Sequence, residues 1–343
     1  MNKYKLSICI PTFNRKIFLE KLLESILHKI NTSDVEISIS DNCSTDGTEQ
    51  YIKDLQEVYK NITYFKWKKN EGVDKNILKA VEIAAGEYIW LMGSDDLVPD
   101  NAIDQIKGSL GLNDIILIGR KEVTYNLKFI KNKYYLDEKI DTRIIHIENE
   151  KSIIDYFNAC RALGGAFSFL GSVIIKRSRW KEVHIKSKAI GSLYVHVFIA
   201  ISIMKSGARI LYLKEPLIIC RGGNDSFYIN PASRALIDLN GYIIISEITE
   251  LNQREKYALL GIIKYEHPLS MLVKMTAKIG FSVKGWSDWV GYMKSRIIYI
   301  KGFSSFNILP LNLFSLFFVI FDRFQFIRLQ ECFNFTKFLD SFK

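Results

Sequence analysis

The chain places two adjacent carboxylates, Asp95 and Asp96, just past the apolar run YIWLM (88–92), with Gly93 and Ser94 between. Paired carboxylates repel one another and lose hydration near a core, so nothing local favours them there. Either they sit in a solvated turn, or they hold a hard divalent cation that removes the repulsion. Asp41 follows a second apolar run, VEISIS (35–40). His196 lies in the apolar stretch SLYVHVFIAISIMK, with Tyr194 two residues before it. A histidine there serves either as a base near neutral pH or as a satisfied core residue.

The elements that carry these groups follow from periodicity. LSICI (6–10), VEISIS, ITYFKW (62–67), YIWLM and DIILI (114–118) read as strands. Between the first two, Phe18, Leu22, Leu23, Ile26, Leu27 and Ile30 share one helical face. Asp46 stands three residues before Glu49, a capping-box spacing that opens a second helix. Asp74 opens a third helix that Gly86 closes, and Pro99 sits in the first turn of a fourth. Strands and helices in alternation predict an α/β fold with a mainly parallel sheet, which takes ligands off the carboxyl ends of its strands. Asp41 and the Asp95-Asp96 pair all fall on that edge.

Further along, 121–147 reads as longer β segments, 150–162 as a helix, GSVIIK (171–176) as a strand, and RILYL and LIICR as two more. From about 230 the pattern is helical, and GGNDSFYINP marks a boundary near 225–232. Domains are therefore expected at 1–228, in halves 1–120 and 121–228, and at 229–343.

With 343 residues, 48% of them hydrophobic, there is ample material for a core. Five scattered cysteines without a C-x-x-C pair argue against a disulfide framework or zinc site and for a reducing cytoplasm. The N-terminal stretch lacks the apolar core of a signal peptide, because Pro11 interrupts LSICI. The net charge of +10 is uneven: residues 261–343 hold eleven Lys/Arg against five Asp/Glu. Within them Gly302 to Phe321 carries no formal charge, but Pro310, Asn307 and Asn312 interrupt it. That pattern reads as an interfacial membrane segment ahead of a core helix or a span. The basic residues are interleaved with apolar ones, not gathered in a polar stripe, so nucleic acid is not an expected partner.

Four stretches, SICIPTFNR, ISDNCSTDGT, NEGVDKNI and GEYIWLMGSDD, occur in this order and together resemble the GT-A glycosyltransferases of family 2. The resemblance is close over about 4–120 and looser over 165–225. It implies a Rossmann-like sheet flanked by helices, with a helical C-terminal region. It also implies a nucleoside-diphosphate sugar as donor. Pro11, Thr12, Phe13 and Arg15 would line the donor nucleotide, with Phe13 at the base or ribose. Asp41 would accept a hydrogen bond from a pyrimidine, with Asp46 and Thr48 as turn and cap residues. Asn70, Gly72 and Asn76 match a further motif, in which Lys75 replaces an arginine beside the phosphates. Asp96 would ligate Mn²⁺ or Mg²⁺, and Asp95 would bind ribose or reach the metal through water. The family's D-x-D-D reads Gly93-Ser94-Asp95-Asp96 here, so its leading Asp is missing. Arg221, in CRGGNDS, would close over the diphosphate.

The family's catalytic Asp, a base for the acceptor hydroxyl, is not matched, since no Asp or Glu occurs between Glu182 and Glu215. His196 and Tyr194 occupy the equivalent stretch, with Asp155, Glu182 and Asp225 in reserve. GSDD, LYVH and RGGNDS together resemble the abequosyltransferase-type subgroup. Those enzymes add a deoxyhexose to a lipid-linked O-antigen intermediate, which implies a polyprenyl-diphosphate-linked glycan acceptor. A cytoplasmic enzyme peripheral to the inner membrane surface is therefore expected, with inversion as the stereochemistry that the family implies. Three alternatives stay open: a polyprenyl-phosphate sugar transferase, a nucleotidyltransferase, and a non-catalytic sugar-nucleotide or glycan-binding protein.

Overall fold

The structure, a computed structural model, describes residues 4–30, 33–224 and 231–267. Nine strands form one sheet in the order β3-β2-β1-β4-β8-β5-β9-β7, with β6 on β5. In chain order these are β1 (Tyr4–Thr12), β2 (Val35–Asp41), β3 (Ile62–Lys66), β4 (Gly86–Leu91), β5 (Ile115–Val123), β6 (Phe129–Lys133), β7 (Arg143–Ile147), β8 (Val173–Lys176) and β9 (Ala208–Arg221). β1–β4 are parallel neighbours joined by helices α1 (Lys16–Leu27), α2 (Thr48–Val58) and α3 (Val73–Glu82). β8 enters antiparallel between β4 and β5, and β9 then runs parallel to β5. Six of the nine described strands therefore point the same way, as an α/β sheet requires.

The remaining helices are α4 (Ala102–Ser109), α5 (Glu150–Ala159), α6 (Arg177–Glu182), α7 (Val195–Lys205), α8 (Pro231–Ile248), α9 (Gln253–Gly261) and α10 (Ile263–Glu266). All the described elements belong to one compact unit, Met1–Pro268. The apolar segment 302–321 lies outside the described residues.

Leu19, Leu22, Leu23, Ile26 and Leu27 of α1 bury against Leu6, Ile8, Ile10 and Trp90 of the sheet. The buried face holds Leu19 instead of Phe18, because Phe18 lies in the first turn and overhangs the sheet edge, among the cations described below. Helix α7 is apolar on every side and almost wholly buried, as such a helix must be.

Local punctuation departs from expectation at four places. The N-cap of α2 is Gly47 at φ 85°, and Glu49 pairs with Lys53 and Lys66, so no capping box forms. Gly86 begins β4 and does not close α3, which ends at Glu82. Pro99 precedes the N-cap of α4, Asn101, by two residues. RILYL and LIICR are one strand: β9 absorbs Pro216 through register shifts opposite Gly119. Gly119 is required there, since a Cβ would sit 3.0 Å from the Tyr134 ring and 3.1 Å from the Glu215 carbonyl.

Candidate active site

Thr12 and Asp41 are register partners at the carboxyl ends of β1 and β2, so the loops that follow lie side by side. Polar side chains lace them together. The Asn14 N–H donates to Ser44 Oγ at 2.8 Å, and Asn14 Oδ1 accepts from the Thr45 N–H at 2.8 Å. The Lys16 N–H donates to Asp46 Oδ2 at 2.8 Å, while the other oxygen of Asp46 takes Thr48 Oγ1 at 2.6 Å. Asp46 and Thr48 thus act as turn residues. Asp41 is fully buried and accepts from the Ser44 N–H at 2.8 Å and from the Tyr64 hydroxyl at 2.7 Å. Asn76 donates to the Thr12 carbonyl at 3.1 Å, and Asn42 donates to Asn70 at 2.8 Å, tying the start of α3 to the same edge. Phe13 is 41% exposed, as a side chain awaiting a planar ligand should be.

The acidic pair occupies the turn after β4, closed by the Asp96 N–H on the Gly93 carbonyl at 3.2 Å. A Cβ at position 93 would lie 2.8 Å from Asp96 Oδ2 and 3.0 Å from Asp95 Oδ1. Both carboxylates therefore converge on the space beside Gly93. Gly171 walls the other side, where a Cβ would come 3.2 Å from Asp96 Oδ2, and Trp90 Nε1 holds that turn through the Gly171 carbonyl at 2.8 Å.

Asp96 is 4% exposed, and among the described residues its carboxylate is hydrogen-bonded by the Gly93 backbone N–H and by no side chain. Burial first and the Asp95 charge second raise its pKa well above the usual range, against the pull of Arg120, the Gly93 hydrogen bond and Arg15. Asp95 is compensated differently. It accepts from Arg15 Nη1 at 2.5 Å and from Asn224 Nδ2 at 2.7 Å.

Arg221 reaches this turn from the end of β9. Its Nη1 donates to the Tyr125 carbonyl at 3.0 Å, and its guanidinium lies 5.6 Å from the Phe18 ring centroid. Arg15 lies 5.8 Å from the same ring, so Phe18 carries two guanidiniums. Two buried polar groups at this edge, Arg221 Nη2 and Thr12 Oγ1, have no hydrogen-bond partner. Such orphans are what a polar ligand satisfies.

A divalent cation fits the donor set. Asp96 offers a carboxylate with no described side-chain partner in a glycine-walled recess, and the two arginines flank the path of an anionic ligand. Among the described residues no three His, Cys, Asp or Glu side chains converge, so most of the coordination sphere would come from ligand oxygens and water.

Three expected residues stand apart from this cluster. Lys75 is half-exposed and pairs with Glu71 at 2.7 Å on the helix surface. The Tyr194 hydroxyl donates to Asp238 of α8 and accepts from Arg234 at 3.0 Å. His196 is buried, with Nε2 3.3 Å from the Ser168 carbonyl and Nδ1 without a partner. Burial lowers its pKa to about 4, so the ring is neutral at neutral pH. Among the described residues no hydrogen bond joins His196 or Tyr194 to Asp95 or Asp96. Of the reserve carboxylates, Asp155 is exposed on α5 and Glu182 pairs with Arg179 at 2.8 Å; Asp225 lies outside the described residues.

Sequence reading missed Phe18, Asn224, Asp238, and the role of Asp74, whose partners are distant in the chain. Asp74 does not cap its own helix. Its carboxylate accepts from the N–H groups of Gly191, Leu193 and Val195 at 2.8, 3.0 and 3.2 Å, fixing the entry to α7.

A mainly parallel α/β sheet that presents an acidic turn and converging arginines at its carboxyl edge has the architecture of a GT-A glycosyltransferase. Residues 7–163 match the model described as glycosyl transferase family 2. The chain is 38% identical over 274 residues to abequosyltransferase RfbV of Salmonella typhimurium, covering 77% of this chain and 81% of that protein. It therefore belongs to glycosyl transferase family 2, as an abequosyltransferase-like member. A shorter match, 33% identical over 105 residues, covers 30% of this chain and 33% of the GalNAc(5)-diNAcBac-PP-undecaprenol beta-1,3-glucosyltransferase of Campylobacter jejuni. The fold is shared with S. aureus TarS solved with UDP-GlcNAc, at TM-score 0.61 and 17% identity over 87% of this chain and 81% of that one. It is also shared with the mannosyltransferase PcManGT of Pyrobaculum calidifontis solved with GDP-Man and Mn²⁺, at TM-score 0.54 and 13% identity, over 91% and 83%.

Proposed function

We propose that this glycosyltransferase moves a sugar, of deoxyhexose type, from a nucleoside-diphosphate sugar to a hydroxyl of a lipid-linked glycan, with inversion, in O-antigen or related surface polysaccharide synthesis. The observation that carries the reading is the recess around Asp96, a buried carboxylate that no described side chain hydrogen-bonds, beside two arginines. The names of the relatives, one an abequosyltransferase and one acting on an undecaprenol-linked glycan, support the acceptor class. Among the described residues no helix is long and apolar enough to cross a membrane, and a peripheral position at the inner membrane face is part of the proposal.

In this reading Asp41 accepts from the base, Phe13 stacks on it, and Thr12 Oγ1 gains the partner it lacks. Asp96, with Asp95 beside it, holds Mn²⁺ or Mg²⁺. When bound, that ion neutralises the charge that builds on the departing diphosphate. Arg221 and Arg15 supply charge-assisted donors to the same diphosphate, Arg15 sharing its guanidinium with Asp95. The neutral imidazole of His196 is the competent form of a base, and the acceptor hydroxyl proton is assigned to it.

Transfer to a polyprenyl phosphate is the second reading. It is favoured by the engagement of Tyr194 and the burial of His196, because a phosphate oxygen attacks without a strong base. Product lability separates the two: a glycosyl phosphate is cleaved by mild acid, and an O-glycoside survives it.

Calorimetry of UDP, GDP, CDP and dTDP, each with and without Mn²⁺, tests the donor half. Tight binding of one nucleotide that chelator abolishes is the expected result. A well-folded protein that binds none of them overturns the proposal.

A further inference from the structure

Strand β5 outruns its neighbour. β8 pairs only with Ile115–Leu117, and beyond Gly119 β6 takes over that edge while the second half of β9 follows on the other. The three strands form a tongue past the carboxyl end of the main sheet. Its root is the candidate site itself. Leu97, the residue after Asp96, exchanges both backbone hydrogen bonds with Ile219 at 3.0 and 2.8 Å, and Arg221 is the register partner of Val123. On the other flank Lys133 pairs with Glu266 of α10 at 2.8 Å.

The tongue's surface is unlike that of a water-facing hairpin. Tyr125, Leu127, Phe129 and Ile130 are 53, 44, 61 and 53% exposed. Two of them, Leu127 and Phe129, line a hollow of about 470 Å³ together with Leu97, Val123, Ile219, Asn132 and Lys121. An apolar patch of this kind marks an interaction surface. Cations surround it: Lys121 and Lys128 have no carboxylate partner among the described residues, and Lys131 reaches only Glu122, at 3.6 Å.

We infer that the β5–β6 tongue is the element that enters the anionic surface of a lipid bilayer, holding the Asp95-Asp96 turn at the height of a lipid-linked acceptor. The inference rests on the lipid-linked acceptor proposed above. Charge complementarity selects the occupant. Apolar side chains flanked by unpaired lysines match acyl chains beneath anionic headgroups, with the lysines reaching up to the phosphates. The distance argument agrees, since the patch and the acidic turn are joined through Leu97 and a glycan on a membrane carrier extends only a short way from the surface.

Vesicle co-sedimentation of the full chain is the test, with phosphatidylglycerol-containing vesicles against pure phosphatidylcholine. The wild type should sediment with the anionic vesicles. Phe129→Asp with Ile130→Asp should cut that partition at least tenfold, without lowering Tm or metal-dependent nucleotide binding. Lys128→Glu and Lys131→Glu should each weaken it about fivefold or more on anionic vesicles, with little effect on neutral ones. Wild-type protein that sediments with neither vesicle, or a Phe129/Ile130 variant that sediments like wild type, overturns the inference. So does a variant that keeps vesicle binding but loses a concentration-dependent dimer, which would give the patch to a second copy. Nucleotide binding is read separately, so a failed tongue leaves the donor site standing, and a failed donor site leaves the vesicle result intact.

Discussion

At the scale of single residues the site is a balance of buried charge. Asp95 is neutralised by Arg15 and Asn224, whereas Asp96 is left to a recess that Gly93 and Gly171 keep empty. A carboxylate whose folded-state pKa is raised loses stability as pH climbs past its unfolded value, so ionised Asp96 costs the apo protein most at neutral pH. Asp96→Asn removes that cost and removes the ligand. The variant should melt higher than wild type at pH 7, by an amount on the order of 1 kcal/mol, with the gain shrinking as pH falls. Its metal-dependent transfer should drop by on the order of 100-fold or more. Near-normal turnover would withdraw the metal assignment. Asp95, Asp96, Arg15 and Arg221 were legible in the sequence because each sits in a short motif. Asp238 and Phe18 were not, because their partners come from remote segments that only the packed fold brings to them.

At the scale of elements, the alternating pattern gave the existence and order of β1–β4 and of the helices between them, with ends displaced by two to four residues at β1, β4 and α3, since each burial face is written in local periodicity. The antiparallel insertion of β8 between β4 and β5 was not legible: an apolar strand reads the same in either direction. Nor was the task of Asp74, which looks like a helix cap in sequence and instead holds three N–H groups ahead of α7. Asp74→Ala leaves those donors buried without partners and should destabilise by about 3 kcal/mol, since each orphan costs roughly 1–3 kcal/mol before relaxation. Limited proteolysis should open first near 186–195, ahead of global unfolding. A variant cleaved at the wild-type rate would mean that water replaces the carboxylate and that the loop is held by packing alone.

At the scale of the whole molecule, α7 is the keel that joins the sheet to the later helices. It packs against α3, α6, α8 and β9 and buries nearly every side chain it has. A charge created within it therefore acts on the entire unit, not on one loop. His196 is that group: its ordinary pKa of 6.5 falls to about 4 in the fold, so the unfolded chain binds more protons between those values. Stability is unaffected above pH 6.5 and declines as pH falls toward 4. The loss between pH 7 and 5 should be about 2 kcal/mol, taking 1.4 kcal/mol per pKa unit and the partial protonation at each end. His196→Gln, which keeps a polar side chain that never charges, should flatten the melting curve over that range while leaving stability at pH 7 within about 1 kcal/mol. The same variant bears on chemistry. A base that titrates near 4 gives a rate with no inflection near 6.5, so a wild-type profile that rises through 6.5 would assign the proton to another group. If the variant is still acid-labile to the wild-type degree, a different buried group carries the transition.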